Sequence, residues 1–100
     1  MPDCSRDILI VGGGPTGLGA AWRLAELSGR GLVNPSLDWL LVEAGREPGG
    51  MARSETLGDG FTWDVGGHVI YSHYAYFNAF LAKVMGPDLF FHERKSWVHV

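Results

Sequence analysis

The sequence predicts an α/β fold with a parallel sheet, opening on a β–α–β unit. Three observations predict it. Ile8-Leu9-Ile10-Val11 is an apolar run of the length of a buried parallel strand. Gly12, Gly14 and Gly17 follow at the spacing of a tight turn into a helix. A second apolar run, Trp39–Val42, comes after a stretch of helical spacing and ends at the acid Glu43.

Met1–Arg6 reads as a polar leader, and strand one as Asp7–Val11. In the turn, Gly12 permits the reversal. Gly14 has no Cβ, so a pyrophosphate can approach the backbone, and Gly17 lets helix and strand pack closely. Pro15 suits the first helical turn, where its missing N–H has no partner to lose. Helix one is expected over Pro15–Leu27, with Leu18, Ala21, Trp22, Leu24 and Ala25 at helical spacing and Gly29 and Gly31 as stop signals. Its free N-terminal amides and dipole suit phosphate groups. The plainer reading, a glycine turn with no ligand, fits this strand–turn–helix context less well. A phosphate loop of the Gly-Lys-Ser/Thr type is excluded, because no such triplet follows.

Leu32–Ser36 carries the turn signal Asn34-Pro35 and reads as a surface insertion. Strand two is Trp39–Glu43. Glu43 falls where a ribose hydroxyl is read, after a gap longer than the usual about 20 residues. Ala44–Arg53 holds Gly45, Pro48, Gly49 and Gly50, which leave no regular element. Paired glycines there suit a backbone passing close to a ligand, at the strand edge where open α/β sheets bind ligands. Phe61–Val65 alternates as a short strand and leads to Gly66-Gly67-His68. Val69-Ile70-Tyr71 is a short extended piece, and Ser72 can cap a helix. Tyr74, Phe77, Leu81 and Val84 share a helical face, with Phe80 and Met85 beside it, and read as core. Gly86-Pro87 ends that helix. Ser96–Val100 reads as a further strand.

At 100 residues, 46% hydrophobic and with net charge −3, the composition is that of a globular chain of one domain at most. One half of a doubly wound sheet is present, so the N-terminal part of a larger protein is expected. The acidic balance gives no footprint for nucleic acid. Cys4 is the single cysteine, so no internal disulfide forms and a reducing compartment fits. The first apolar run stops after Val11, too early for a signal peptide or membrane span, and a cytoplasmic protein is expected. His73 and His92 read as surface or cap residues, and no Cys/His spacing suggests a metal.

Three landmarks in order carry a family resemblance: Gly12–Gly17 (GGGPTG), Glu43–Ser54 (EAGREPGGMARS) and Asp64–Phe77 (DVGGHVIYSHYAYF). The first two resemble the FAD-binding N-terminus of flavin amine oxidases, protoporphyrinogen oxidases and carotenoid desaturases. The third is similar to UDP-galactopyranose mutases of the eukaryotic type, as is His92–Val98 (HERKSWV). The resemblance implies an incomplete Rossmann-like, glutathione-reductase-type FAD-binding fold over residues 1–100. It implies a redox-neutral interconversion of UDP-galactopyranose and UDP-galactofuranose through N5 of a reduced flavin. A UDP-sugar is then the substrate, and NAD(P)H a candidate reductant. By motif match, Gly12, Gly14 and Gly17 hold the pyrophosphate and Glu43 the adenosine ribose, and Pro15, Thr16 and Ala44 are among the cofactor-binding residues. Gly49, Gly50, Met51 and Ala52 lie along the cofactor, and Gly66, Gly67 and His68 against the flavin ring. Arg94 and Ser96 match residues near the active site, and Tyr71 an aromatic near the substrate. Two alternatives stand: an FAD-dependent oxidoreductase of the amine oxidase type, or a truncated nucleotide-binding fragment without catalysis. The 100 residues by themselves are expected to be inactive.

Overall fold

The structure, a computed structural model, describes residues 5–67 and 69–100. The chain divides into two compact units, Met1–His68 and Val69–Val100.

In the first unit, β1 spans Ile8–Val11 and β2 spans Trp39–Val42. They pair in parallel, with Ile8 opposite Trp39 and Val11 opposite Val42. Parallel neighbours require a crossover, and α1, Pro15–Gly29, supplies it. Both strands stop short of the acid expected at one end, because the ladder pairs only four residues of each; each acid instead turns its carboxylate to backbone amides. Asp7 Oδ2 accepts from the Asp38 amide at 2.8 Å, and Glu43 accepts from two amides.

Backbone bonds fix the register at both ends of the pair. The Asp38 carbonyl accepts from the Asp7 and Ile8 amides at 2.9 and 3.2 Å, and the Gly12 amide donates to the Val42 carbonyl at 2.8 Å. An Arg6–Asp38 ion pair at 2.6 Å adds to the first end. Both its side chains are exposed, and such pairs contribute about 0–1 kcal/mol. Several hydrogen bonds of about 0.5–1.5 kcal/mol each outweigh it.

Gly17 explains how α1 packs on β1. A Cβ there would collide with the Gly12 carbonyl oxygen and stand 3.3 Å from Ile10 Cγ2. The helix runs two residues beyond the expected Leu27, because Gly31 and not Gly29 ends it. Gly31 takes φ +65°. Its amide donates to Ser28 O at 3.0 Å, and the Leu32 amide donates to Leu27 O at 2.9 Å. This is the Schellman pattern of crossed bonds around a left-handed residue. The Asn34-Pro35 turn forms as expected: Asn34 Oδ1 accepts from the Ser36 amide at 3.0 Å, and Asn34 O from the Leu37 amide at 2.9 Å.

The two strands alternate. Ile8, Ile10, Trp39 and Leu41 are half-buried, while Leu9, Val11, Leu40 and Val42 are exposed. Among the described residues no apolar side chain is fully buried.

Ala44–Arg53 does contain a regular element, a 3₁₀ turn over Gly50–Ala52. Positive φ at Gly49 (+116°) and Gly50 (+55°) turns the chain into it. A hairpin that the sequence reading did not anticipate follows. β3, Ser54–Thr56, pairs antiparallel with β4, Thr62–Asp64. β4 is shorter than the expected Phe61–Val65 because its partner has only three residues. Phe61 and Val65 keep one backbone bond each to the partner side, from the Leu57 amide at 2.8 Å and to the Arg53 carbonyl at 3.0 Å. Ser54 Oγ donates to Asp64 Oδ1 across the pair at 2.6 Å.

In the second unit, α2 spans Ala75–Met85, and Gly86, at φ +51°, ends it and opens a 3₁₀ turn over Gly86–Asp88. Ser72 is not its cap. The N-cap residue is Tyr74, and Ser72 Oγ accepts the Tyr74 amide at 3.1 Å in a turn ahead of the helix. The half-buried seam is Phe77, Phe80 and Leu81, narrower than the expected face. Those three lie at i, i+3 and i+4, whereas Tyr74, Val84 and Met85 are exposed. Ser96–Val100 is not a strand: no partner pairs with it among the described residues, and a strand without a partner has no ladder to hold it.

Gly17→Ala is expected to lower stability by about 1–3 kcal/mol, the cost of forcing a methyl into a filled site. Gly19, also in α1, has open space at its Cβ position, so Gly19→Ala should stabilise by about 0.5–1 kcal/mol. Urea midpoints check the pair; equal shifts of the same sign would contradict this packing.

Candidate dinucleotide-binding site

The first-unit site residues converge on Gly13, which is buried. Its amide donates to Glu43 Oε2 at 2.6 Å. Its carbonyl accepts from the Gly49 amide at 2.8 Å. The other Glu43 oxygen, Oε1, accepts from the Gly45 amide at 2.8 Å. The loop after β1, the end of β2 and the second glycine loop are thereby tied together.

The glycine pairs have a packing reason that their sequence spacing does not reveal. A Cβ on Gly50 would stand 3.1 Å from Gly14 Cα, and one on Gly66 would stand 2.5 Å from the Met51 carbonyl oxygen. Each therefore admits neighbouring protein backbone. Gly12 takes φ +103°, and nothing lies within 4 Å of a Cβ at Gly12 or Gly67.

α1 opens at Gly14 in extended conformation, with no side-chain cap and with Pro15 at its start. The amides of Gly14, Thr16 and Gly17 belong to the first turn, which has no intrahelical acceptor for them. They are donors for an anion at the helix N-terminus. Beside Glu43 an open cleft of about 660 Å³ is lined by Arg46, Glu47, Gly50, Arg53 and Glu55 among others. Arg53 pairs with Glu55 at 2.9 Å. The sequence reading passed over Arg46 and Arg53; their position in the loop leaving the carboxyl edge of β2 was the available signal.

The Glu43 carboxyl is held below the ordinary glutamate value. The Gly45 amide is the largest cause, then the Gly13 amide; the Ala44 amide and the Arg53 charge act in the same direction, and desolvation opposes them. Glu43 is thus an anion at neutral pH. The donor set fits a dinucleotide: helix amides for phosphates, and a carboxylate that accepts from free ribose hydroxyls and repels a ribose phosphate.

The remaining candidates do not join this arrangement. His68 lies outside the described residues. Met51 and Ala52 are exposed on the 3₁₀ turn. Tyr71, Arg94 and Ser96 belong to the second unit and are exposed. Tyr71 there lines a shallow cleft with Ser72, His73, Tyr74, Tyr76 and Phe77. Among the described residues no helix is long and apolar enough to cross a membrane, and no cluster of metal-ligating side chains occurs.

Fold and site together define a dinucleotide-binding α/β unit. Residues 10–84 match the NAD(P)-binding Rossmann-like domain, and the chain belongs to that family. Among solved structures it is similar to a reduced UDP-galactopyranose mutase, at 51% identity and a TM-score of 0.60, over 76% of this chain and 15% of that one. The chain thus spans 15% of the length of that mutase.

Because the folded value of Glu43 is lowered, its contribution to stability is full above the ordinary glutamate value and is lost as pH falls through the lowered one. The Gly13 and Gly45 amide shifts should titrate together, with one midpoint below that of a free glutamate. NMR over an acid titration checks this; separate midpoints, or one at or above the free value, would contradict the shared carboxylate.

Proposed function

We propose that the chain is the N-terminal FAD-binding portion, residues 1–100, of a larger cytoplasmic flavoenzyme that interconverts UDP-galactopyranose and UDP-galactofuranose. The observation that carries this is the 51% identity to a UDP-galactopyranose mutase over 76% of the chain. The site chemistry supports it. Amides of Gly14, Thr16 and Gly17 bind the pyrophosphate, and Glu43 accepts from the adenosine ribose. Gly49 and Gly50 carry the backbone along the cofactor. Gly66, Gly67 and His68 form the loop toward the flavin ring, and Arg94, Ser96 and Tyr71 serve the UDP-sugar. A bound reduced flavin would supply the nucleophile for a redox-neutral exchange at the anomeric carbon, with NAD(P)H the candidate reductant. The chain's own work is binding and orientation.

The full-length protein, purified and reconstituted with FAD, should show flavin bands in its visible spectrum. After reduction it should convert UDP-galactofuranose to UDP-galactopyranose. Absence of flavin bands would overturn the cofactor; flavin with substrate oxidation and no ring interconversion would move the protein to the amine oxidase type.

His68→Ala should slow turnover at least tenfold while FAD content stays near wild type. Gly67→Ala should slow it less, by stiffening the loop. Wild-type turnover in both would remove the loop from the mechanism, and loss of FAD alone would make it structural.

A further inference from the structure

We propose that Glu43 is a positioning residue that clamps the phosphate loop to the loop after β2, and so couples pyrophosphate recognition to ribose recognition through one carboxylate. This rests on the dinucleotide reading and goes beyond ribose binding. The two Glu43 oxygens are bound to amides on two different loops, Gly13 at 2.6 Å and Gly45 at 2.8 Å. An ionised carboxylate has about four lone-pair sites. The Gly13 and Gly45 amides, and the Ala44 amide that also acts on the group, leave at least one, so a ribose hydroxyl can donate to the same carboxylate without breaking the clamp.

The clamp matters because of what it holds. Gly12, Gly13 and Gly14 are three residues in a row with no side chain to restrict them. Glycine loses more conformational freedom on ordering than any other residue. In an unclamped loop that cost falls on the ligand at the moment of binding. Here the Gly13 peptides are held on both sides. The amide goes to Glu43, and the carbonyl accepts from Gly49 at 2.8 Å. Peptide planarity then passes the constraint on to the amide of Gly14, the residue that opens α1. A carboxylate that only read the ribose would have no need of bonds to the backbone of two loops.

The test separates the two roles. FAD and an FAD analogue lacking both adenosine ribose hydroxyls are titrated into the full-length wild type, Glu43→Ala and Glu43→Gln. If the carboxylate is a clamp, Glu43→Ala weakens the analogue as well as FAD, by about tenfold, the scale of a lost charge-assisted hydrogen bond. If Glu43 only reads the ribose, the analogue binds Glu43→Ala and wild type equally, and the proposal fails. Amide exchange in the ligand-free proteins gives a second readout. Gly13 and Gly45 should both exchange faster in Glu43→Ala, and one of them in Glu43→Gln, which keeps one acceptor oxygen and the side-chain size. Unchanged exchange in Glu43→Ala overturns the clamp. Should wild type bind no FAD, the dinucleotide reading fails while the exchange result still decides the clamp.

Discussion

Backbone meeting backbone, with no side chain between, is the constraint on which the rest of this structure depends. It occurs at Gly17 against the Gly12 carbonyl, at Gly50 against Gly14, and at Gly66 against the Met51 carbonyl. Each contact brings one segment of the first unit onto the next. With few apolar side chains withdrawn from water, these close approaches and the hydrogen bonds around Gly13 define the arrangement. The consequence for binding is direct. Where side chains are absent, the groups presented to a ligand are peptide dipoles, and these recognise anions by geometry.

A carboxylate beside the glycine turn proposed to bind phosphate is at first sight a repulsive neighbour. Its setting resolves this. Both oxygens of Glu43 are engaged by amides, and the Arg53 charge offsets part of its field. What it still offers outward are lone pairs that accept hydroxyl donors. What it opposes by its charge is a further anion beside it. On the proposed function, this one residue would sort dinucleotides by the chemistry of their sugar.

The sequence disclosed what is local and hid what is not. The β1–α1–β2 unit was legible because apolar runs and glycine punctuation act within a few residues, and the boundaries moved by only one or two. Gly31 was among the stop signals, but its precedence over Gly29 depends on two crossed bonds. β3 was missed because Ser54-Glu55-Thr56 is short and polar and exists only by pairing. The Asp59-Gly60 turn was the signal that could have found it: Asp59 Oδ1 accepts the Phe61 amide at 3.1 Å and Gly60 takes φ +87°. The opposite error occurred at Ser96–Val100, where strand-forming Trp97, Val98 and Val100 were present and a partner among the described residues was not. In the site, the residue types and the place of Glu43 at the strand end were readable. Its bonds to Gly13 and Gly45, and the neighbours of Gly50 and Gly66, are long-range distances or fine geometry that spacing does not encode.

The segment between α1 and β2 is closed off at both ends by its own bonds. Gly31 and Leu32 finish the helix on Ser28 and Leu27, and Asp38 sets the sheet register with Asp7 and Ile8. The residues between are turned on Asn34. Loop length enters closure entropy only logarithmically. This stretch is therefore the natural place for relatives to differ by insertion or deletion, and the place where a reporter peptide or a dye-labelled cysteine can be grafted without disturbing the strands on either side.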